Sequence, residues 1–165
     1  MFKPLLIFCT ILAFDSGVAT AQAAVRVEIA NLGGPRPLQQ QTADAAIRDY
    51  LQSWQSLQSA LGQNRADLLD QDFVGDARDK LGKTIQEQAA LSMLTRYQDS
   101  SHDLQIVFYS PEGLSIELTD NVEYDVELQD HGKLETRQHV RARYIAVLTP
   151  SDSRWRVRIL QALPE

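Results

Sequence analysis

Cysteine is almost missing from this chain: among 165 residues only Cys9 carries a thiol. Cys9 sits in a stretch laid out like a cleaved export leader. Lys3 supplies a positive start, Leu5 to Phe14 form a short apolar run, and small residues follow up to Ala21-Gln22-Ala23. The run is far shorter than the roughly 20 residues that span a bilayer, and Asp15 closes it. Residues 1–23 therefore read as a signal peptide. Cleavage near Ala23 delivers a periplasmic or extracellular chain, Ala24 to Glu165, with no cysteine and no membrane span. Such a chain has no disulfide, no thiol nucleophile and no cysteine metal ligand, so packing must stabilise it.

Other absences narrow the chemistry. Gly33-Gly34 is followed by Pro35 and no lysine, so it is not a phosphate loop. There is no Gly-x-Ser-x-Gly nucleophile elbow. Glu135 and His139 stand four apart, but on an expected strand, and no His, Asp and Glu set has metal-ligand spacing. No motif points to a metal or a cofactor. Lysine and arginine are absent from residues 103–130, which hold eight acids, whereas residues 133–158 hold seven bases and two acids. Either the basic segment meets an anionic partner, or the two segments neutralise each other within one sheet; strand register favours the second. A net charge of −6 on an exported chain argues against nucleic acid as a partner.

Hydrophobic periodicity divides the chain in two. Val25 to Ala30 alternates and predicts a short edge strand or an ordered arm. Residues 24–41, with Gly33-Gly34-Pro35-Arg36-Pro37 and Gln39-Gln40-Gln41, form an arm or linker, and one domain spans 42–165. Ile47, Tyr50, Leu51, Trp54, Leu57 and Leu61 recur at helical spacing, between Thr42 as N-cap and Gly62 as C-terminal stop. A short helix from about Asn64 presents Leu68 and Leu69. A third, from Gly75-Asp76, presents Ala77, Leu81, Ile85, Ala89 and Met93.

After Tyr97 the period drops to two. The apolar sets are Leu104, Ile106 and Phe108; Leu114, Ile116 and Leu118; Val122, Tyr124, Val126 and Leu128; Val140, Ala142, Tyr144, Ala146 and Leu148; and Trp155, Val157 and Ile159. They predict an antiparallel meander with one buried face. Pro111-Glu112-Gly113 and Asp130-His131-Gly132 read as three-residue hairpin loops with glycine third. The first places Phe108 opposite Ile116 and Ile106 opposite Leu118. The second places Val122 opposite Val140, Asp125 opposite Arg137, Glu123 opposite His139 and Asn121 opposite Arg141. It leaves Glu127 against Glu135, a like-charged pair.

Helices followed by a long curved sheet that ends in Arg154-Trp155-Arg156-Val157-Arg158-Ile159 resemble the NTF2-like superfamily, and within it the SnoaL-like branch. The resemblance covers roughly Thr42 to Leu160 and implies an α+β cone: N-terminal helices packed on a curved antiparallel β-sheet. In such a cone Tyr50 and Trp54 face Tyr124, Tyr144 and Trp155, rings that either line a pocket for a small apolar ligand or fill an ordinary core. Asp120 continues the inward phase of Leu118 and Val122. Pointing inward it is a general base, the role used by related cone-shaped isomerases; its residue type, with Asn121, favours a bulge or turn instead. His102-Asp103 is a possible acid–base pair, although neighbours on a strand point apart and a loop-capping role is preferred. His131 belongs to a turn and His139 to the charged outer face.

Three functions follow. The leading one is non-catalytic binding of a small apolar ligand or a partner protein by Tyr50, Trp54, Tyr124, Tyr144 and Trp155. The second is a SnoaL-like isomerase, dehydratase or hydrolase with Asp120, assisted by His102. The third is a dimerising assembly module, a homodimer through the sheet, with Ile145 and Val147 as an exposed apolar spot on its outer face.

Overall fold

The structure, a computed structural model, describes residues 23–164. The expected signal peptide, apart from Ala23, lies outside the described residues. The elements run β1 (Ala24–Ile29), α1 (Gln40–Gln63), a 3-10 turn (Ala66–Leu69), α2 (Gly75–Ala90), β2 (Met93–Tyr109), β3 (Ile116–Asp130), β4 (Lys133–Ser151) and β5 (Arg154–Leu163). The sheet has the order β1-β2-β3-β4-β5. Its last four strands form the expected antiparallel meander, while β1 pairs parallel to β2 and makes the sheet mixed. A parallel partner cannot be reached by a tight turn; here the helices make the crossover.

Helix α1 lays Ala43, Ala46, Tyr50, Trp54, Leu57 and Ala60 on the sheet, against Leu104, Ile106, Ile116, Leu118, Val122, Ala146 and Leu148. It begins at Gln40, two residues before Thr42, and runs through Gly62. Asn64 ends it, held in the left-handed region at φ 53°, which asparagine tolerates better than most residues. Gln88 of α2 ties three elements together: its amide donates to the Leu61 carbonyl at 2.8 Å and accepts from the Thr95 hydroxyl at 2.9 Å. Met93, expected on the last helix, opens β2 instead.

Strand β5 is pinned to the helical side. Phe73 bridges to Val157, the Val157 amide donates to the Asp72 carbonyl at 2.8 Å, and the Arg154 guanidinium donates to the buried Asp72 carboxylate at 2.7 Å. Bulges near Ser100, Val107, Leu128 and Leu148 interrupt the ladders. Each extra residue bends its strand and shifts side chains to the other face. Hence Phe108 turns outward and half-exposed while Tyr109 takes the inward place. Ile159 lies opposite Val147 on the outer face and Leu160 packs on the core. The first hairpin keeps Ile106 opposite Leu118, as expected, but sets Phe108 opposite Glu117. Its longer loop closes on Ser110, whose hydroxyl accepts from the Leu114 and Ser115 amides.

The second hairpin has a two-residue loop. His131 and Gly132 both hold positive φ, 46° and 79°, and Asp130 pairs with Lys133, the pattern of a type I′ turn. With the bulge near Leu128 the register moves two residues from the expected one. Val122 faces Ala142, Glu123 faces Arg141, Asp125 faces His139 and Glu127 faces Arg137. A two-residue shift preserves every inward position. It also removes the Glu127–Glu135 conflict, because Glu127 now accepts a hydrogen bond from Arg137. The charged outer face is an ion-pair ladder, with different partners from those first expected. A double-mutant cycle on Glu127 and Arg137 should therefore give about 0.2–1 kcal/mol of coupling in urea unfolding. The same cycle on Asp125 and Arg137 should give none; the reverse result would restore the expected register.

Candidate functional site

Strand β3 is unbroken through Asp120 and Asn121, so the bulge-or-turn reading of this pair is overturned. Asp120 keeps the inward phase between Leu118 and Val122 and is fully buried. His102 is also not in a loop. It lies inside β2, opposite Val122, and is 1 % exposed. Its neighbour Asp103 points out toward Arg26, at 3.9 Å, so the two are not a pair.

The partner of His102 on its own strand is Asp99. Residues three apart on a regular strand face opposite sides. The bulge near Ser100 adds one residue to the count, and both side chains point inward. The imidazole is thus clamped: Nδ1 lies 2.7 Å from Asp120 Oδ2, and Nε2 lies 3.0 Å from Asp99 Oδ2. A neutral imidazole has one N–H and one lone pair and cannot donate to both carboxylates; the doubly protonated ring can. Burial by itself pushes the His102 pKa down, but the hydrogen bonds and charges of Asp120 and Asp99 outweigh it and raise the value to about 9. The hydrogen bond from His102 in turn holds Asp99 below the usual carboxylate range, and the Gln58 amide donates to the same carboxyl group.

Helix α1 closes the network from the other side. The Tyr50 hydroxyl donates to Asp120 Oδ2 at 2.9 Å. Burial, and then the nearby Asp120 charge, push the Tyr50 pKa well above its ordinary value, so this phenol keeps its proton. One turn on, Trp54 is the centre of the aromatic cluster. Its ring meets His102 at 5.3 Å, Tyr144 at 5.4 Å, Tyr97 at 6.2 Å, Tyr124 at 6.3 Å and Tyr50 at 6.4 Å between centroids. Most of these contacts are edge-on, the geometry that ring quadrupoles favour. Tyr50 and Trp54 are buried, whereas Tyr97, Tyr124 and Tyr144 are half-buried and form the open side. The Tyr124 and Tyr144 hydroxyls stand 3.4 Å apart. Burial, then these neighbours, raise the pKa of Tyr144 and hold Tyr97 well above the ordinary value.

Four of the five expected ligand-facing rings meet here. Trp155 does not. It is buried beside Pro150 on β4, whereas Tyr144 pairs with Ala162, and its amide donates to Asp49 at 2.8 Å. Tyr97 and Asp99 joined the site unforeseen. Tyr97 precedes the point where the two-residue period becomes legible, and the odd spacing of Asp99 from His102 hides their shared face. Ile145 and Val147 lie on the outer face as expected, but half-buried beside Ile159 rather than exposed.

Chemically, the arrangement holds its proton. Both imidazole nitrogens are committed, so His102 accepts no proton near neutral pH, and Asp120 Oδ2 carries two donors. Within this site two buried polar atoms have no hydrogen-bond partner, Asp120 Oδ1 and the Trp54 indole nitrogen; elsewhere among the described residues Arg156 Nε is in the same position. Among the described residues no group of three or more His, Cys, Asp or Glu is placed to hold a metal ion, and no helix is long and apolar enough to cross a membrane.

Helices crossing one face of a curved sheet, with polar side chains aimed into the concavity, define an NTF2-like α+β cone. Solved structures agree. The intermembrane-space region of the chloroplast protein ARC6 superposes with a TM-score of 0.66 at 15% identity, over 79% of this chain and all of that one. A putative scytalone dehydratase from Novosphingobium aromaticivorans gives 0.53 at 14% identity, over 76% of this chain and 89% of that one. A protein from Catenulispora acidiphila gives 0.51 at 12% identity, over 74% and 94%. No protein-family model and no curated protein matches the sequence. The chain has the NTF2-like fold.

The clamp makes stability depend on pH. His102 is raised in the folded state, so its contribution is complete below the ordinary 6.5 and lost as pH rises through about 9. The shift corresponds to about 3 kcal/mol. Asp99 is lowered, so its contribution holds at neutral pH and fades on acidification. Urea unfolding of the protein should show the free energy falling by about 3 kcal/mol from pH 6.5 to 9. A flat profile over that window would mean that His102 is neutral.

Proposed function

We propose that this chain is an exported, non-catalytic binding domain whose ligand, a small apolar molecule or an apolar segment of a partner protein, lies on the aromatic wall of Tyr97, Tyr124 and Tyr144 backed by Trp54. One observation carries this reading: the rings are partly exposed while His102, Asp120 and Tyr50 behind them are buried and bonded within the network, which the half-buried Asp99 completes. Amphipathic rings with polar tips suit such a surface. The leader-like residues 1–23 and the likeness to an intermembrane-space region support export. Tyr50 is a buried support in this reading, and Trp155 belongs to the core behind the site.

A second reading is favoured by one feature. Asp120 Oδ1 is buried and unpartnered, in a fold shared with a putative scytalone dehydratase. In an enzyme of that kind, Asp120 would be the base and His102 its orienting acid. Titration with Nile red, a neutral apolar dye, separates the two. Tyr97→Ala with Tyr144→Ala should weaken binding at least about tenfold, while Asp120→Asn, which keeps the shape, should leave it within about threefold. Loss of a turnover activity in Asp120→Asn at unchanged dye affinity would favour the enzyme.

A further inference from the structure

Strand β1 is an edge. It pairs with β2 on one side only, and the sheet ends there among the described residues. The Ala30 amide donates to the Ile106 carbonyl. Main-chain groups alternate sides along a strand, so the even residues Arg26 and Glu28 bond inward to β2. The N–H and C=O of Val25, Val27 and Ile29 then face outward with no strand beside them. Unprotected edges of this kind template further pairing unless lysine, proline or a bulge blunts them. None of these occurs between Ala24 and Ile29.

The side chains are equally unfinished. Val25, Val27 and Ile29 lie on the concave side, opposite His102, Leu104 and Ile106, yet remain 44 %, 42 % and 40 % exposed. A groove of about 680 Å³ separates Val27 and Ile29 from α1, with Ile47 and Leu51 on its far wall. On the other face stand Arg26, 82 % exposed and 3.9 Å from Asp103, and Glu28 beside Gln105.

We propose that β1 is a homodimer interface: two copies join their β1 strands antiparallel about a two-fold axis at Val27, and one sheet runs through both. The order Val25-Arg26-Val27-Glu28-Ile29 is complementary to its own reverse. In that register Val27 meets the partner's Val27, Val25 meets the partner's Ile29, and Arg26 meets the partner's Glu28. The apolar triad of each copy covers the groove of the other, and oppositely charged pairs stand directly across. Parity agrees as well, since the outward main-chain groups belong to the self-paired apolar residues and can exchange N–H···O bonds. The contact is isologous and closes as a dimer. It lies at the edge of the sheet, away from Ile145 and Val147.

Sedimentation equilibrium of the purified protein should give twice the chain mass. Arg26→Glu sets like charges across both pairs and should raise the dissociation constant at least about tenfold; adding Glu28→Arg swaps the pairs back and should restore it to within about threefold. Val27→Pro removes an outward N–H that β2 does not use, so circular dichroism should stay unchanged while the mass falls to one chain. A single-chain mass for the unaltered protein at high micromolar concentration would overturn the proposal. A dimer indifferent to Val27→Pro and to the charge reversal would overturn it equally, whether its interface is the sheet face or another surface.

Discussion

A cation buried between two carboxylates is the constraint that organises this molecule. With His102 and Asp120 buried and Asp99 half-buried, taking such groups out of water costs several kcal/mol each unless they satisfy one another. His102 does so with Asp99 and Asp120, and Tyr50 adds a further donor to Asp120. Each geometric demand of the trio falls on a different element. Strand β3 must run straight through Asp120, β2 must bulge at Ser100 to turn Asp99 inward, and α1 must cross where Tyr50 reaches the carboxylate. Trp54 then shields the imidazole on its helix side. The cone is held together by an aromatic core and by a polar knot at its centre.

The same knot bears on the proposed binding role. A general base needs an available lone pair near neutral pH. His102 has none while both nitrogens donate, and its raised pKa keeps the ring protonated. Tyr97 and Tyr144 keep their protons for a different reason, since burial and the neighbouring hydroxyls disfavour phenolate. What faces outward is an array of neutral rings with hydroxyl tips, in front of a charged group that does not reach the surface. Such a wall offers area and hydrogen bonds without a reactive atom.

Much of the fold was legible because its signals are local. The 3.6-residue period of Ile47 to Leu61 and the two-residue period after Leu104 announce helices before a meander, and the inward phase of Asp120 was readable from Leu118 and Val122. Several of the errors share one cause, the β-bulge. A single extra residue reverses facing beyond it, and it moved Phe108, Ile159 and the β3–β4 register while hiding the Asp99–His102 pair. Turn chemistry misled at His131, because a non-glycine residue at positive φ shortened the loop by one residue. For Asp120 and His102, residue preference pointed to turns and loops, and tertiary pairing overrode it. The parallel pairing of β1 lay beyond local signals, since it depends on where two helices return the chain.

The central claim is that His102 is a buried imidazolium, and it can be observed directly. Nitrogen-15 NMR of the histidine side chains at neutral pH distinguishes a ring protonated on both nitrogens from either neutral tautomer. The account predicts both His102 nitrogens in the protonated range, with the ring remaining so up to about pH 9. An unprotonated nitrogen on His102 at neutral pH would contradict it.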